Sequence, residues 1–437
     1  MGGQVAVSQI ALHCGMALLP PPRATGATAL RRARGWVSLS WAARAGRACG
    51  ALSRRTGLGS GGVIVGRVML ALAPEAPRIL AQSRDVLAVS GTNGKTTTTA
   101  YLTAALATLG PVDTNDDGAN TAAGITTSLA AGTAPRVVIE TDERWLPWLI
   151  EATKPSIVTL LNLSRDQLHR HHEVAHLAHA WSDALCSVPH VVASASDPAV
   201  VMAALAARKQ TWVAVGSRWT QDGHVCPRCG GECVHEGADW GCDVCGLCKP
   251  TPDWWLEGDE LVSKQFRLPL RLALPGEVNR ANAAMAVATA ALAGVEPSQA
   301  LAAVRDIAAV AGRYAIAEHQ GRRARVVLAK NPAGWLESLA IVAGTTEPLI
   351  LAFNSEGVDG RDPSWLYDVP FDHLGGRRVV VTGRRATDML VRLEMAGLTD
   401  IASTTDVLTA LEMLPEGDVT VIANYTAFQE ARRVLAR

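Results

Sequence analysis

The chain has 437 residues, and its 41 Lys and Arg balance 41 Asp and Glu, so its formal net charge is zero. That balance shows no uniformly basic surface of the kind a nucleic-acid binder presents, and no nucleic-acid partner is expected. With 48% hydrophobic and 19% charged residues the chain is too apolar for wholesale disorder, and it is long enough for two or three cores.

Residues 1–35 carry Pro20-Pro21-Pro22 without a periodic pattern and read as a disordered or misassigned leader. No Asp or Glu precedes Glu75, whereas Arg23, Arg31, Arg32, Arg34, Arg44, Arg47, Arg54, Arg55 and Arg67 all do. Such a stretch suits a transit peptide or a segment in peripheral contact with the cytoplasmic face of a membrane. Residues 36–55 have a helical composition. A solvated helix packed on the main domain is favoured there over one lying on an anionic bilayer. No apolar run reaches the ~20 residues of a membrane span, so a cytoplasmic location is expected.

Asp85-Val86-Leu87-Ala88-Val89 is a buried-strand pattern that runs straight into Ser90-Gly91-Thr92-Asn93-Gly94-Lys95-Thr96-Thr97. A strand that breaks into a glycine turn ending in Lys-Thr holds nucleoside triphosphates. The glycines let backbone N–H groups approach phosphate, and the following helix adds its positive end. Gly91, Thr92, Asn93, Gly94, Lys95, Thr96 and Thr97 are therefore candidate ATP-binding residues. Lys95 would reach the outer phosphates, and Thr96 would join a magnesium shell. The commonest form of this loop has another glycine where Val89 stands here.

From this loop to residue 216, short β-rich runs alternate with helix-length segments, as in a mostly parallel α/β sheet. Strands are expected at 86–89, 136–141, 156–162, 190–193 and 212–215, with helices at 96–109, 174–186 and 198–207. Ile139-Glu140-Thr141-Asp142-Glu143 closes a strand at the sheet end where ligands bind, so Glu140 is the first candidate for magnesium and Glu143 the second. Leu161-Asn162-Leu163-Ser164-Arg165-Asp166-Gln167-Leu168 follows another strand. The histidines after it, His169, His171, His172, His176 and His179, read as a wet helix N-terminus.

Cys226-Pro-Arg-Cys229 and Cys242-Asp-Val-Cys245 form two C-x2-C knuckles inside a segment at about 224–250. Each turn brings two thiolates to one ion, and a full tetrad describes a structural zinc site. Cys233 and Cys248 are spare thiols that compete for a corner. Pro275-Gly276-Glu277-Val278-Asn279-Arg280-Ala281-Asn282 then opens an Ala-rich helix, where Asn279 and Asn282 suit a nucleotide base or a helix cap. A second Ala-rich helix is expected at 297–310. Arg313 follows at a Gly-Arg turn, placed to clamp a phosphate. Beyond it a second α/β unit is expected, with strands at 325–329, 348–353, 378–382 and 419–423 and helices at 386–396 and 406–413.

These motifs, in this order, resemble the Mur ligase family. Gly-Thr-Asn-Gly-Lys-Thr-Thr, a strand-end Glu, Gly-x-x-Asn-x-x-Asn and Gly-Arg carry the general likeness. Three features point to the MurT group: Leu163–Leu168, the cysteine insertion, and Asp359-Gly360-Arg361-Asp362-Pro363-Ser364-Trp365-Leu366-Tyr367-Asp368. The resemblance implies an α/β fold with a Mur-ligase-type central ATP-binding domain, parallel-rich and carrying a zinc ribbon, over residues 36–311. A smaller α/β C-terminal domain would cover 312–437.

The resemblance also implies ATP, Mg2+ and Zn2+ as cofactors. The reaction would be amidation of the D-glutamate α-carboxyl in the stem peptide of lipid II, through an acyl phosphate. The ammonia would come from a separate GatD-like glutaminase in a heterodimer. Asp362 is the first choice for the group's functional aspartate, with Asp359 and Asp368 behind it; a cap on the turn after Pro363 is the competing role. Lys330-Asn331-Pro332 resembles an Asn-Pro element of Mur ligase C-terminal domains whose role stays open. The rival readings are a Mur or folylpolyglutamate-type amino-acid ligase and a non-catalytic ATP-binding scaffold.

Overall fold

Strand β1 (Asp85–Ser90) is an interior strand of the larger of two main sheets, and its side chains are buried on both faces. Val86 and Ala88 join one hydrophobic core with Ile125, Leu129 and Trp181. Leu87 and Val89 point the other way, into a core with Tyr101, Leu102 and Leu106. A strand covered on both faces needs an unbroken apolar run, and this one has it. The computed structural model describes residues 38–55, 62–115, 119–166, 174–308, 310, 314–356, 359–360 and 362–435. The leader and Arg313 lie outside these residues.

The strands of the first unit are β1, β2 (Val112–Thr114), β3 (Arg136–Thr141), β4 (Ile157–Leu160), β5 (His190–Ser194) and β6 (Gln210–Ala214). A hairpin of β7 (Cys233–Glu236) and β8 (Asp239–Cys242) follows, and then β9 (Trp254–Glu257), β10 (Glu260–Ser263) and β11 (Arg267–Pro269). The nine-stranded sheet runs β11-β10-β9-β6-β5-β4-β1-β3-β2. It is parallel from β2 through β9, and β10 and β11 complete it as an antiparallel edge. The five expected strands are present, while β2 escapes the sequence pattern with only three residues, and β9 and β10 because charged and polar residues cut short their apolar runs. The expected 297–310 helix stops at Arg305.

The second unit holds β12 (Tyr314–His319), β13 (Arg322–Leu328), β14 (Leu349–Ala352), β15 (Val379–Thr382), β16 (Ile401–Ser403) and β17 (Gly417–Ala423), ordered β12-β13-β17-β14-β15-β16. Only β12 is antiparallel to its neighbour. Its turn places Gln320 and Gly321 at φ 45° and 76°, the paired positive values that suit a tight hairpin.

Ahead of β1, the helices Leu39–Arg55 and Gly62–Leu72 lie against each other. Their junction sets small residues of the first helix, Ala42 and Gly46, against Val65 and Met69 of the second. A Cβ on Gly46 would stand 2.8 Å from the Val65 carbonyl oxygen, and one on Gly66 would overlap the Ala123 carbonyl. The second helix is thereby clamped to the helix Ala122–Ala131, with the Gly66 N–H donating to Thr127 Oγ1 at 2.9 Å.

Candidate functional site

The loop after β1 is held in shape by the next strand over. Gly91, at φ +149°, passes so close to β4's exit that a Cβ would sit 2.8 Å from Leu161 Cβ. The Thr92 N–H donates to the Asn162 carbonyl at 2.8 Å, and the Asn93 N–H donates to Asn162 Oδ1 at 2.9 Å. Gly94, at φ +86°, ends the turn with no room for a side chain beside Asn282. The helix Lys95–Ala107 starts there, so the loop presents helix N-terminal N–H groups that have no partner within the helix. Thr96 and Thr97 lie in its first turn.

Lys95 is buried. Its ammonium donates to the carbonyls of Gly91 and Thr92 and to Glu143 Oε2, the last at 3.0 Å. Burial by itself favours a neutral Glu143, but the charges of Lys95 and Lys330 outweigh it and hold the carboxyl at about 2. Glu140 lies nearby at the end of β3 and accepts from Asn120 Nδ2 at 3.3 Å, while Asn115 grips its backbone on both sides. Both sequence candidates for magnesium are thus buried at the phosphate-loop edge, with Glu143 on the lysine and Glu140 on an asparagine. Thr96, Glu140 and Glu143 are the oxygen donors here that suit a hard divalent cation.

A cleft of about 520 Å³ opens from this loop between the two units, well within the size of small-ligand pockets. Asn93, Gly94, Thr97, Asn279 and Asn282 line one side of it, and Lys330, Gly334 and Glu337 line the other. Asn279 also donates to the Pro275 carbonyl at 2.6 Å, and Asn282 accepts from Thr98 Oγ1 at 3.3 Å, so both asparagines brace local structure as well.

Among the described residues, polar bridges join the units across this cleft, a 3.8 Å ion pair of Arg218 with Glu337 among them. The side-chain amides of Asn93 and Asn331 exchange hydrogen bonds at 3.2 and 3.3 Å. Lys330 pairs with Asp166 at 2.7 Å, and Arg165 pairs with Asp368 at 3.1 Å. Asn331 is also the cap of the helix Pro332–Val342, accepting from the Gly334 N–H at 2.9 Å. An Asn followed by Pro at a helix start is a strong cap signal. Sequence reading left Lys330 and Asn331 without a role; the structure sets both at the junction.

Beside these bridges lies a smaller pocket of about 250 Å³, lined by Arg165, Asp166, Lys330, Asp359, Asp362 and Asp368, among others. The three aspartates of the C-terminal motif therefore share one pocket. Asp359 is buried, accepts from the Thr426 N–H and hydroxyl, and is shifted upward by that burial. Asp362 is exposed and accepts from the Ser364 N–H at 2.9 Å, the turn-capping bond that the sequence offers as its alternative role.

The cysteine insertion forms a small ribbon whose Cys226, Cys229, Cys242 and Cys245 sulfurs all lie within 4.8 Å of one another. Cys226 approaches Cys245, and Cys229 approaches Cys242, at 3.6 Å. A tetrahedral ion with ~2.3 Å sulfur bonds has edges of about 3.8 Å, so donor set and spacing both fit zinc. Cys233 is buried in β7, and Cys248 is exposed; neither belongs to the tetrad. Trp240 anchors the ribbon by donating to the Ala195 carbonyl at 3.0 Å.

Glu337, on the far wall of the cleft, is pushed up to about 7, chiefly by burial and further by Glu277, with Arg218 opposing. A raised carboxyl means the fold prefers its neutral form. The contribution is full below the ordinary 4.5 and is lost as pH rises to about 7. Glu337→Gln is therefore expected to raise stability at pH 8 by up to about 3 kcal/mol and to change little at pH 4.5. Urea melts of both proteins at the two pH values check this, and an equal gain at both would assign the effect to packing.

Comparison with known proteins agrees with this architecture. The Mur ligase middle domain profile matches residues 89–224, and the MurT ligase C-terminal profile matches 328–428. A Streptococcus pneumoniae protein named lipid II isoglutaminyl synthase (glutamine-hydrolyzing) subunit MurT is 27% identical, across 87% of this chain and 93% of its own. Its Staphylococcus aureus namesake is 26% identical, across 90% of this chain and 96% of its own. Among solved structures, a pseudomurein peptide ligase type C from Methanothermus fervidus superposes with a TM-score of 0.64 at 15% identity, covering 81% of this chain and 78% of its own. The fold is Mur-ligase-like.

Proposed function

Starting from a Mur-ligase-like fold that matches MurT relatives along about nine-tenths of the chain, we propose that this protein is the synthetase subunit of a lipid II amidating enzyme. It uses ATP to activate the D-glutamate α-carboxyl of the stem peptide as an acyl phosphate. Ammonia then displaces the phosphate and leaves D-isoglutamine. The observation that carries this reading is the placement of a buried Lys95 loop and an aspartate-lined pocket on either side of one interdomain junction.

Gly91, Thr92, Asn93, Gly94, Lys95, Thr96 and Thr97 take the triphosphate, with Asn279 near the base and Arg313 as a phosphate clamp. The N–H groups at the head of the helix Lys95–Ala107 and the Lys95 ammonium stabilise charge on the phosphoryl group as it moves. Thr96, Glu140 and Glu143 are the groups that would hold magnesium, which neutralises phosphate charge when bound. Cys226, Cys229, Cys242 and Cys245 hold zinc as a closed tetrad, a structural role with no position left for a substrate. Asp362 serves the amination half of the reaction from the smaller pocket. The partner is a GatD-like glutaminase that releases ammonia from glutamine, and the pair works in the cytoplasm.

Amidated lipid II is the product to follow, with the chain alone plus ammonium and then with the partner plus glutamine. The chain alone is expected to use ammonium, and to use glutamine only with its partner. Asp362→Asn is expected to lower amidation at least about tenfold while ATP-analogue affinity stays near wild type, because Asp362 lines the smaller pocket whereas the phosphate loop lines the larger cleft. Unchanged amidation would move the role to Asp359 or Asp368. Robust glutamine use by the chain alone would overturn the two-subunit reading, and coupling of an amino acid in place of ammonia would make it an amino-acid ligase.

A further inference from the structure

The helix Leu39–Arg55 is packed inside out. Its inward face is small: Ala42, Gly46, Gly50 and Ser53 are buried, and the close approach at Gly46 explains why nothing larger fits. Leu39 packs at its inner end, but Trp41 and Leu52 face solvent instead, 65% and 62% exposed. At ~100° per residue, Trp41, Arg44, Ala48, Leu52 and Arg55 fall within an arc of about 80°; all five are exposed. Arg47 and, on the neighbouring helix, Arg67 are exposed as well. No Asp or Glu occurs anywhere before Glu75, so nothing acidic on these helices offsets the arginines.

We propose that this face docks on an anionic lipid surface, with Trp41 and Leu52 entering the headgroup boundary and Arg44, Arg47 and Arg55 pairing with phosphates. A Trp and a Leu flanked by arginines, on a helix too polar to span, is the pattern of an interfacial helix. Among the described residues no helix is long and apolar enough to cross a membrane. A second copy of the chain is a poor occupant. Two side chains bury at most ~400 Å² together, against about 800 Å² per partner in a standard interface. The docked face also has a direct mechanical path to the site. Its partner helix Gly62–Leu72 is clamped to Ala122–Ala131, which starts beside Asn120, the partner of the Glu140 carboxylate. The inference does not depend on the amidation reading, because vesicle binding requires no turnover.

Sedimentation of the full chain with vesicles tests it, using phosphatidylcholine alone or mixed with phosphatidylglycerol. Binding is expected to the mixed vesicles only and to weaken with salt. Arg44→Glu with Arg47→Glu should weaken it roughly thirty-fold or more, and Trp41→Ala with Leu52→Ala roughly tenfold or more. Both variants should keep wild-type affinity for an ATP analogue, which reports the intact fold. No binding, equal binding to neutral vesicles, or variants that bind like wild type would overturn the proposal. So would a chain dimer dissolved by the Trp41 and Leu52 changes, or a duplex nucleic acid that outcompetes the vesicles for the same arginines.

Discussion

Lys95→Ala is expected to abolish ATP turnover, with a loss of at least about 10²–10³-fold, the scale seen when one preorganised charge-stabilising donor is removed. The substitution also strands Glu143. Breaking a buried ion pair by deleting one member costs about 3–5 kcal/mol, and here both side chains are 4% exposed. Lys330 contributes to the same carboxylate and softens that cost. Loss of activity alone would therefore leave catalysis and folding entangled. Lys95→Met combined with Glu143→Gln removes both charges and is expected to recover most of the lost stability with no recovery of turnover. Thermal melts and phosphate release on the two variants separate the effects. Wild-type turnover in folded Lys95→Ala would take the lysine out of the chemistry.

Metal analysis of protein purified without chelator is expected to return about one zinc per chain, as one closed four-thiolate site demands. Cys242→Ser should release it and unravel the ribbon. Binding of structural zinc supplies about 10–16 kcal/mol in isolated fingers, far more than so small a hairpin gains from its own core. Melting should then become two-phased, with the ribbon lost first and the Trp240 anchor on Ala195 going with it. Cys248→Ser should change neither zinc content nor melting, because that sulfur lies outside the tetrad. Zinc retained by Cys242→Ser and lost by Cys248→Ser would redraw the fourth corner.

What the sequence disclosed follows the range of the interactions involved. The phosphate loop and the cysteine knuckles are local patterns recognisable from short spacings, even though Asn162 holds the loop and the β7–β8 hairpin brings the knuckles together. Central strands such as Asp85–Ser90 were legible because burial on both faces demands continuous apolar residues. The strands β9 and β10 were not, since Trp254–Glu257 and Glu260–Ser263 end in charged or polar residues and are only partly buried, without the mostly apolar, fully buried run of equally short β4. The contact of Glu143 with Lys95 depends on how the chain turns after β3, so ranking Glu140 first at the strand end could not anticipate it. Lys330 and Asn331 meet their partners only once the two units are docked. Asn-Pro carries a helix-cap signal that the sequence reading left without a role, and nothing local announces the amide exchange with Asn93.

The ribbon's place in the chain order has a consequence for how the protein is made. The main sheet is left at Ala214 and rejoined at Trp254, so β9 cannot add beside β6 until the intervening loop closes. Loop closure costs entropy that grows with the free length of the loop. An ion that ties Cys226 to Cys245 shortens that length before the strands meet. Zinc supply during synthesis would therefore set how quickly the last third of the sheet completes. A chain made under zinc starvation would linger with the edge of β6 open, a template for pairing with other chains.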